Sequence, residues 1–172
     1  MLADALGNYG PVDRHRLDDR ALGAVVGQED NQRIGKLVLP PQVFDHATDA
    51  LFDALGLGAA YRQATDRTLF AVESHILYEH EMALDAPIRV ESRVLGVDGK
   101  RLHFGHEMFH GTAGWRAATI ELMAIHVDLG TRRTSPFPAE RRPMLDAAAT
   151  AHARLPAADW TGRHIQLALR QR

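Results

Sequence analysis

Two consecutive stretches decide the fold: PQVFDHATDALFDALGLG, residues 41–58, and TLFAVESHILYEHEM, residues 68–82. In the first, Val43, Ala47, Ala50, Leu51 and Ala54 recur at i, i+4, i+7, i+8 and i+11, and Phe44, Thr48 and Leu55 widen the apolar stripe. Pro40 and Pro41 suit the first turn of such a helix, where a missing N–H costs nothing, and Gly56 and Gly58 end it. In the second stretch the period drops from 3.6 to 2. Strict alternation puts Phe70, Val72, Ser74, Ile76 and Tyr78 on one face and Ala71, Glu73, His75 and Leu77 on the other. The polar residues 59–67 between the two stretches read as a connector.

Downstream, the alternation continues. PIRVESRVLGV (87–97) sets Ile88, Val90, Ser92 and Val94 against Arg89, Glu91 and Arg93, and Asp98-Gly99 marks a hairpin turn. RLHFGHEMFH (101–110) returns as a third strand. WRAATIELMAIHVDL (115–129) is a fourth, with Trp115, Ala117, Thr119, Glu121 and Met123 expected on one face. A Pro-broken loop follows, then a short helix near 139–153 and a loosely held tail. Residues 1–27 show no sustained period and read as an irregular or partly helical lead-in. The expected organisation is thus a lead-in (1–27), a main domain (28–138) and a C-terminal helix and tail (139–172). One long helix and one meander must cover each other's apolar faces. The economical solution is an α+β domain in which a curved antiparallel sheet of about five strands wraps one central helix; this is the hotdog arrangement. Ferredoxin-like folds need a second helix between strands, and lipocalin-type barrels need about eight strands.

Composition narrows the chemistry. A chain of 172 residues suits one domain with a real core. Twenty Lys+Arg against 22 Asp+Glu leave no footprint for nucleic acid or an anionic membrane. No apolar run approaches the roughly 18 residues of a membrane span, and the first residues lack a secretory pattern, so a cytoplasmic protein is expected. Cysteine is absent, which removes thiolate nucleophiles and thiolate metal sites. The serines are Ser74, Ser92 and Ser135, none in a G-x-S-x-G elbow, and there is no P-loop or G-x-G-x-x-G. Catalysis must come from carboxylates, histidines, backbone dipoles or a bound cofactor.

Five blocks in order, FDHATDALFDALGL, VESHILYEHEM, DGKRLHFGHEMFH, ATIELMAIHVDL and TGRHI, resemble the 4-hydroxybenzoyl-CoA thioesterase-like branch of the hotdog superfamily, and within it the betainyl-CoA thioesterases of carnitine degradation. The resemblance covers roughly residues 28–167. It implies a hotdog fold, a homodimer or tetramer, hydrolysis of a short or medium acyl-CoA at a dimer interface, and no cofactor beyond the coenzyme A of the substrate. The family's Asp-x-Asn-Gly-His stretch aligns with Asp30, but here Asn31-Gln32-Arg33-Ile34-Gly35-Lys36 follow, without the Gly-His pair.

The resemblance makes Asp30 a nucleophile or general base, with the helix N-terminus polarising the thioester carbonyl. Glu73 and His75, two apart on one strand face with Glu121 on a neighbouring strand, are a second acid–base candidate or a structural tether. Asp45, His46 and Asp49 fall on the first turns of the long helix, where acids are favoured anyway; some hotdog enzymes carry their working carboxylate there. Lys100-Arg101 and Arg132-Arg133 are candidate partners for coenzyme A phosphates, or solvated turn residues. No metal is expected, because His106 and His110 share a strand face but lie about 13 Å apart. A hotdog hydratase or dehydratase and a non-catalytic acyl-CoA binder are the alternative functions.

Overall fold

The computed structural model describes residues 22–26, 39–83 and 86–165. Its elements are β1 (Leu22–Val26), α1 (Leu39–Ala54), α2 (Ala59–Thr65), β2 (Arg67–Tyr78), β3 (Ile88–Val97), β4 (Arg101–His110), β5 (Arg116–Asp128), β6 (Arg133–Thr134) and α3 (Arg142–His152). The sheet is antiparallel in the order β1-β3-β4-β5-β2, with the short β6 paired to β5. Two expectations are corrected. The lead-in contributes β1, paired to β3, and the connector 59–67 folds as α2.

α1 begins just before its prolines and stops at Gly56, whose φ of 67° is the left-handed conformation that glycine adopts without Cβ strain. Its buried stripe is Val43, Phe44, Ala47, Leu51 and Leu55; Ala54, assigned to the stripe by spacing, is exposed. The stripe packs on one face of the sheet. Phe44 stacks on His106 with ring centroids 6.0 Å apart, and Phe52 meets Phe104 edge-on at 5.5 Å. This inner face carries Val90, Ser92, Val94, Leu102, Phe104, His106, Met108, Ile120 and Leu122, all buried.

Two bulges break the simple alternation. In β2 the register slips between Ala71 and Glu73, so that Leu69 and Ala71, then Ser74, Ile76 and Tyr78, share the inner face, while Phe70 joins Glu73 and His75 outside. In β5, Met108 pairs with Ala118 but Phe109 pairs with Arg116, leaving Ala117 as the extra residue. Beyond it, His110 N–H donates to the Trp115 carbonyl. Trp115 therefore crosses to the inner face and packs against the core, contrary to strict alternation.

α3 runs beside the second half of β3. Arg142 donates to the Asp98 carbonyl at one end, and the Val94 N–H donates to His152 Nδ1 at the other. Leu145 and Ala148 belong to the same core as α1, so the C-terminal helix is part of the domain. The following segment is not loose at Trp160, which is 2% exposed and lies over Gly105 on the outer face. Arg116 pins it there, donating to Asp159, Glu79 and Glu107 at 2.7–3.0 Å. Arg116→Gln is expected to make trypsin cleavage after Arg154 roughly tenfold faster; an unchanged cleavage rate removes the clamp. Among the described residues no helix is long and apolar enough to cross a membrane.

Candidate active site

A fixed polar network ties the middle of α1 to the sheet. Thr48 Oγ1 donates to the Phe44 carbonyl, so it accepts from His106 Nε2 at 3.0 Å, and His106 Nδ1 accepts from the Ser92 hydroxyl at 2.8 Å. Burial pushes the His106 imidazole down to about 3. It is a neutral strap between helix and sheet, not an acid–base group near neutrality.

The exposed side of α1 is acidic. Because α1 starts at Leu39, its first turn holds no acid, and Asp45 and Asp49 lie further along, with Asp53, at i, i+4 and i+8. This corrects their expected place on the first turns. The Asp49 carboxyl is raised above the usual carboxylate range, first by partial burial and then by repulsion from Asp53 and Asp45, against an opposing effect of His46. An acid with a raised pKa on the central helix is a general-base candidate. Asp30 and the altered 31–36 segment lie outside the described residues.

Glu73 and His75 share a face as expected, but it is the outer one, separated by the sheet from α1. His75 pairs in register with Glu121. Glu121, however, accepts from His103 Nε2 at 2.7 Å and from the Gly162 N–H at 2.7 Å, while His75 Nδ1 is buried without a hydrogen-bond partner. The cluster ties the segment around Gly162 to the sheet. The two basic pairs converge on one end, since His126 N–H donates to Lys100 O and Phe137 N–H to Gly99 O across the 98–101 and 131–137 turns. Arg101 is ion-paired with Asp98 in its own turn, whereas Arg132 and Arg133 are exposed. That end is the one reached by the C-terminal half of α1, opposite the helix start.

Two features escaped the sequence reading. At the C-terminal end of α1, a cavity of about 230 Å³ is lined by Asp53, Gly56, Gly58, Tyr61, Thr65 and Arg141. There the Tyr61 hydroxyl hydrogen-bonds His126 Nε2 at 2.8 Å. At the other end, His80 and His110 flank Trp115, with centroid distances of 5.6 and 5.1 Å and interplanar angles of 54° and 51°. Alternation alone sends Trp115 to the wrong face, and a one-residue bulge leaves no mark in composition.

Residues 41–153 match the family model described as the thioesterase-like superfamily. The chain belongs to that superfamily. This thioesterase is 38% identical over 125 residues to a betainyl-CoA thioesterase of Pseudomonas aeruginosa, spanning 73% of this chain and 79% of that protein. It is 41% identical over 97 residues to the L-carnitine dehydrogenase/betainyl-CoA thioesterase of Agrobacterium fabrum, but there it spans 56% of this chain and only 20% of the longer protein. Among solved structures, a Staphylococcus aureus protein in complex with CoA superposes with a TM-score of 0.78 at 19% identity, covering 90% of this chain and 99% of that one, and shares the hotdog fold. A protein from Pseudomonas putida KT2440 assigned as a thioesterase matches at 28% identity with a TM-score of 0.68, covering 93% and 99%. The thioesterase is thus a thioester hydrolase of hotdog fold acting on acyl-CoA.

Proposed function

We propose that this acyl-CoA thioesterase acts on a short acyl group bearing a quaternary ammonium, of the betainyl-CoA type, and works as a cytoplasmic homodimer without an added cofactor. The observation that carries the acyl class is the 38% identity to the Pseudomonas aeruginosa enzyme across most of both chains. The acidic side of α1, Asp45-Asp49-Asp53, adds a field that favours a cationic substrate.

In this reading the thioester carbonyl sits at the start of α1, where the helix dipole and the N–H groups that Pro40 and Pro41 leave, those of Leu39 and Gln42, stabilise the developing oxyanion. A carboxylate takes a proton from water as the water oxygen bonds to the acyl carbon. The C–S bond then breaks, the proton passes to the leaving sulfur, and the products are the free acid and coenzyme A thiol. Asp30 is the base that the family resemblance supplies; Asp49, ten residues and about 15 Å along α1 from Leu39, is the described alternative and reaches that carbonyl only from the α1 of a second copy. Dimerisation is supported by the sheet edge. Among the described residues β2 ends the strand order and exposes Phe70 (52%), Val72 (54%) and Tyr78 (63%), apolar surface on an edge that a second copy would cover.

The test is thiol release from betainyl-, acetyl-, hexanoyl-, decanoyl- and benzoyl-CoA. Betainyl-CoA is expected to have the highest kcat/KM, and substitution of the working base, Asp30→Asn or Asp49→Asn, is expected to lower kcat at least roughly tenfold. If Asp49 is the base it must be ionised to act, so its raised pKa shifts the acid limb of the wild-type profile upward from that of an ordinary aspartate. Full activity in Asp49→Asn with loss in Asp30→Asn assigns the base to Asp30. Silence across the panel from a folded protein, with hydration of an enoyl-CoA, replaces the reading by a hydratase.

A further inference from the structure

We propose that His80, Trp115 and His110 form the subsite that receives the quaternary ammonium of the acyl group. The inference rests on the betainyl-type reading and adds the residues that select the headgroup. A trimethylammonium has no N–H to donate, so it is recognised by aromatic faces within about 6 Å, with tryptophan the strongest. His80 and His110 each lie against Trp115, at 5.6 and 5.1 Å and inclined by 54° and 51°; in this proposal the three ring faces open together as a cup toward the headgroup.

Hydrogen bonds hold the cup in shape. His80 Nδ1 donates to the Arg116 carbonyl at 2.8 Å. His110 Nδ1 accepts from the N–H groups of Ala113 and Thr112 at 3.1 and 3.3 Å, so its lone pair is turned toward its own loop. The cup is also accessible, with His80 exposed and Trp115 and His110 half-buried.

Position supports the same role. The β5 bulge brings Trp115 to the inner face, the one α1 packs on. His110 pairs with Ile88 at the end of β4 beyond His106, on which Phe44 of the second helical turn is stacked. The cup therefore lies at the sheet end where α1 starts and where the proposed chemistry occurs. The guanidinium of Arg116, next to Trp115 in the chain, is directed away. Arg116 precedes the bulge on the outer face, and its guanidinium is held by Asp159, Glu79 and Glu107.

The experiment compares betainyl-CoA with 3,3-dimethylbutanoyl-CoA, which replaces the charged nitrogen by carbon at the same shape. Wild type is expected to favour betainyl-CoA roughly tenfold in kcat/KM. Trp115→Leu should lower kcat/KM for betainyl-CoA roughly tenfold more than for the neutral analogue, while Trp115→Phe keeps most of the preference. Equal losses on both substrates, or an unchanged ratio, overturn the cup and leave the thioesterase reading intact. If wild type cleaves the neutral analogue and not betainyl-CoA, the acyl-class reading fails instead. The cup is then judged by tetramethylammonium alone, which should quench wild-type fluorescence saturably and the Trp115→Phe variant not at all; no quenching in wild type overturns it.

Discussion

Between pH 8 and pH 4.5 the protein is expected to lose roughly 3 kcal/mol of folding stability through His106 alone. The folded imidazole is held down to about 3 by burial, whereas the unfolded one titrates near 6.5. Between those values the unfolded chain binds a proton that the folded chain refuses, so acid favours unfolding by about 1.4 kcal/mol per pH unit within the window. Stability is fully present above pH 6.5, and the loss stops below about 3. His126 and His152, both lowered chiefly by burial, act in the same direction. Asp49, raised in the fold, acts the opposite way and offsets part of the loss. Urea unfolding at pH 8, 6.5, 5.5 and 4.5 measures the slope. His106→Gln should be less stable at pH 8, because Ser92 and Thr48 lose a well-placed partner, yet its stability should fall less steeply toward acid. A parallel slope in that variant removes His106 as the origin of the acid sensitivity.

Gly105→Ala is expected to cost about 3 kcal/mol, although it adds a single methyl to an outer-face position. A Cβ at Gly105 would lie well inside van der Waals contact of both the Ile120 carbonyl and the indole of Trp160. The carbonyl belongs to the neighbouring strand and has no freedom to retreat, so the indole must leave its site. Urea unfolding reads the stability, and a red shift of tryptophan emission reports the exposed indole. Trp160→Ala should cost a similar amount alone but far less when added to Gly105→Ala, since the two changes empty the same contact. Additive effects would mean that Trp160 stays seated and that strand distortion alone explains the loss.

The main lines of this fold were legible because α1 from Val43 to Leu51 and β3 from Ile88 to Val94 each bury one face. Val43-Ala47-Leu51 and Ile88-Val90-Ser92-Val94 carry that burial directly as period. α2 was not legible, since of its seven residues only Tyr61 is buried and the rest read as a polar loop. β1 was missed for lack of a sustained period around it. The faces of β2 and the start of β5 were misread for one shared reason: a bulge inserts a residue without altering which residue types are present. The candidate site was legible only in pieces. Asp45 and Asp49 were named from their helix, and the structure adds Asp53 and the mutual repulsion that raises Asp49. Glu73 and His75 were correctly placed on one face, but which side of the sheet that face occupies depends on the bulge before them. Lys100-Arg101 looked free because Asp98 was read as turn geometry alone, whereas its carboxylate engages Arg101.

The extra residue at Ala117 makes the length of β5, as well as its composition, part of what a descendant must inherit. A single-codon deletion there would leave every other side chain in place in the genetic text, yet it would turn Trp115 through the sheet to the opposite surface. Substitutions around the indole could be tolerated one by one, while the loss of an unremarkable alanine would not be.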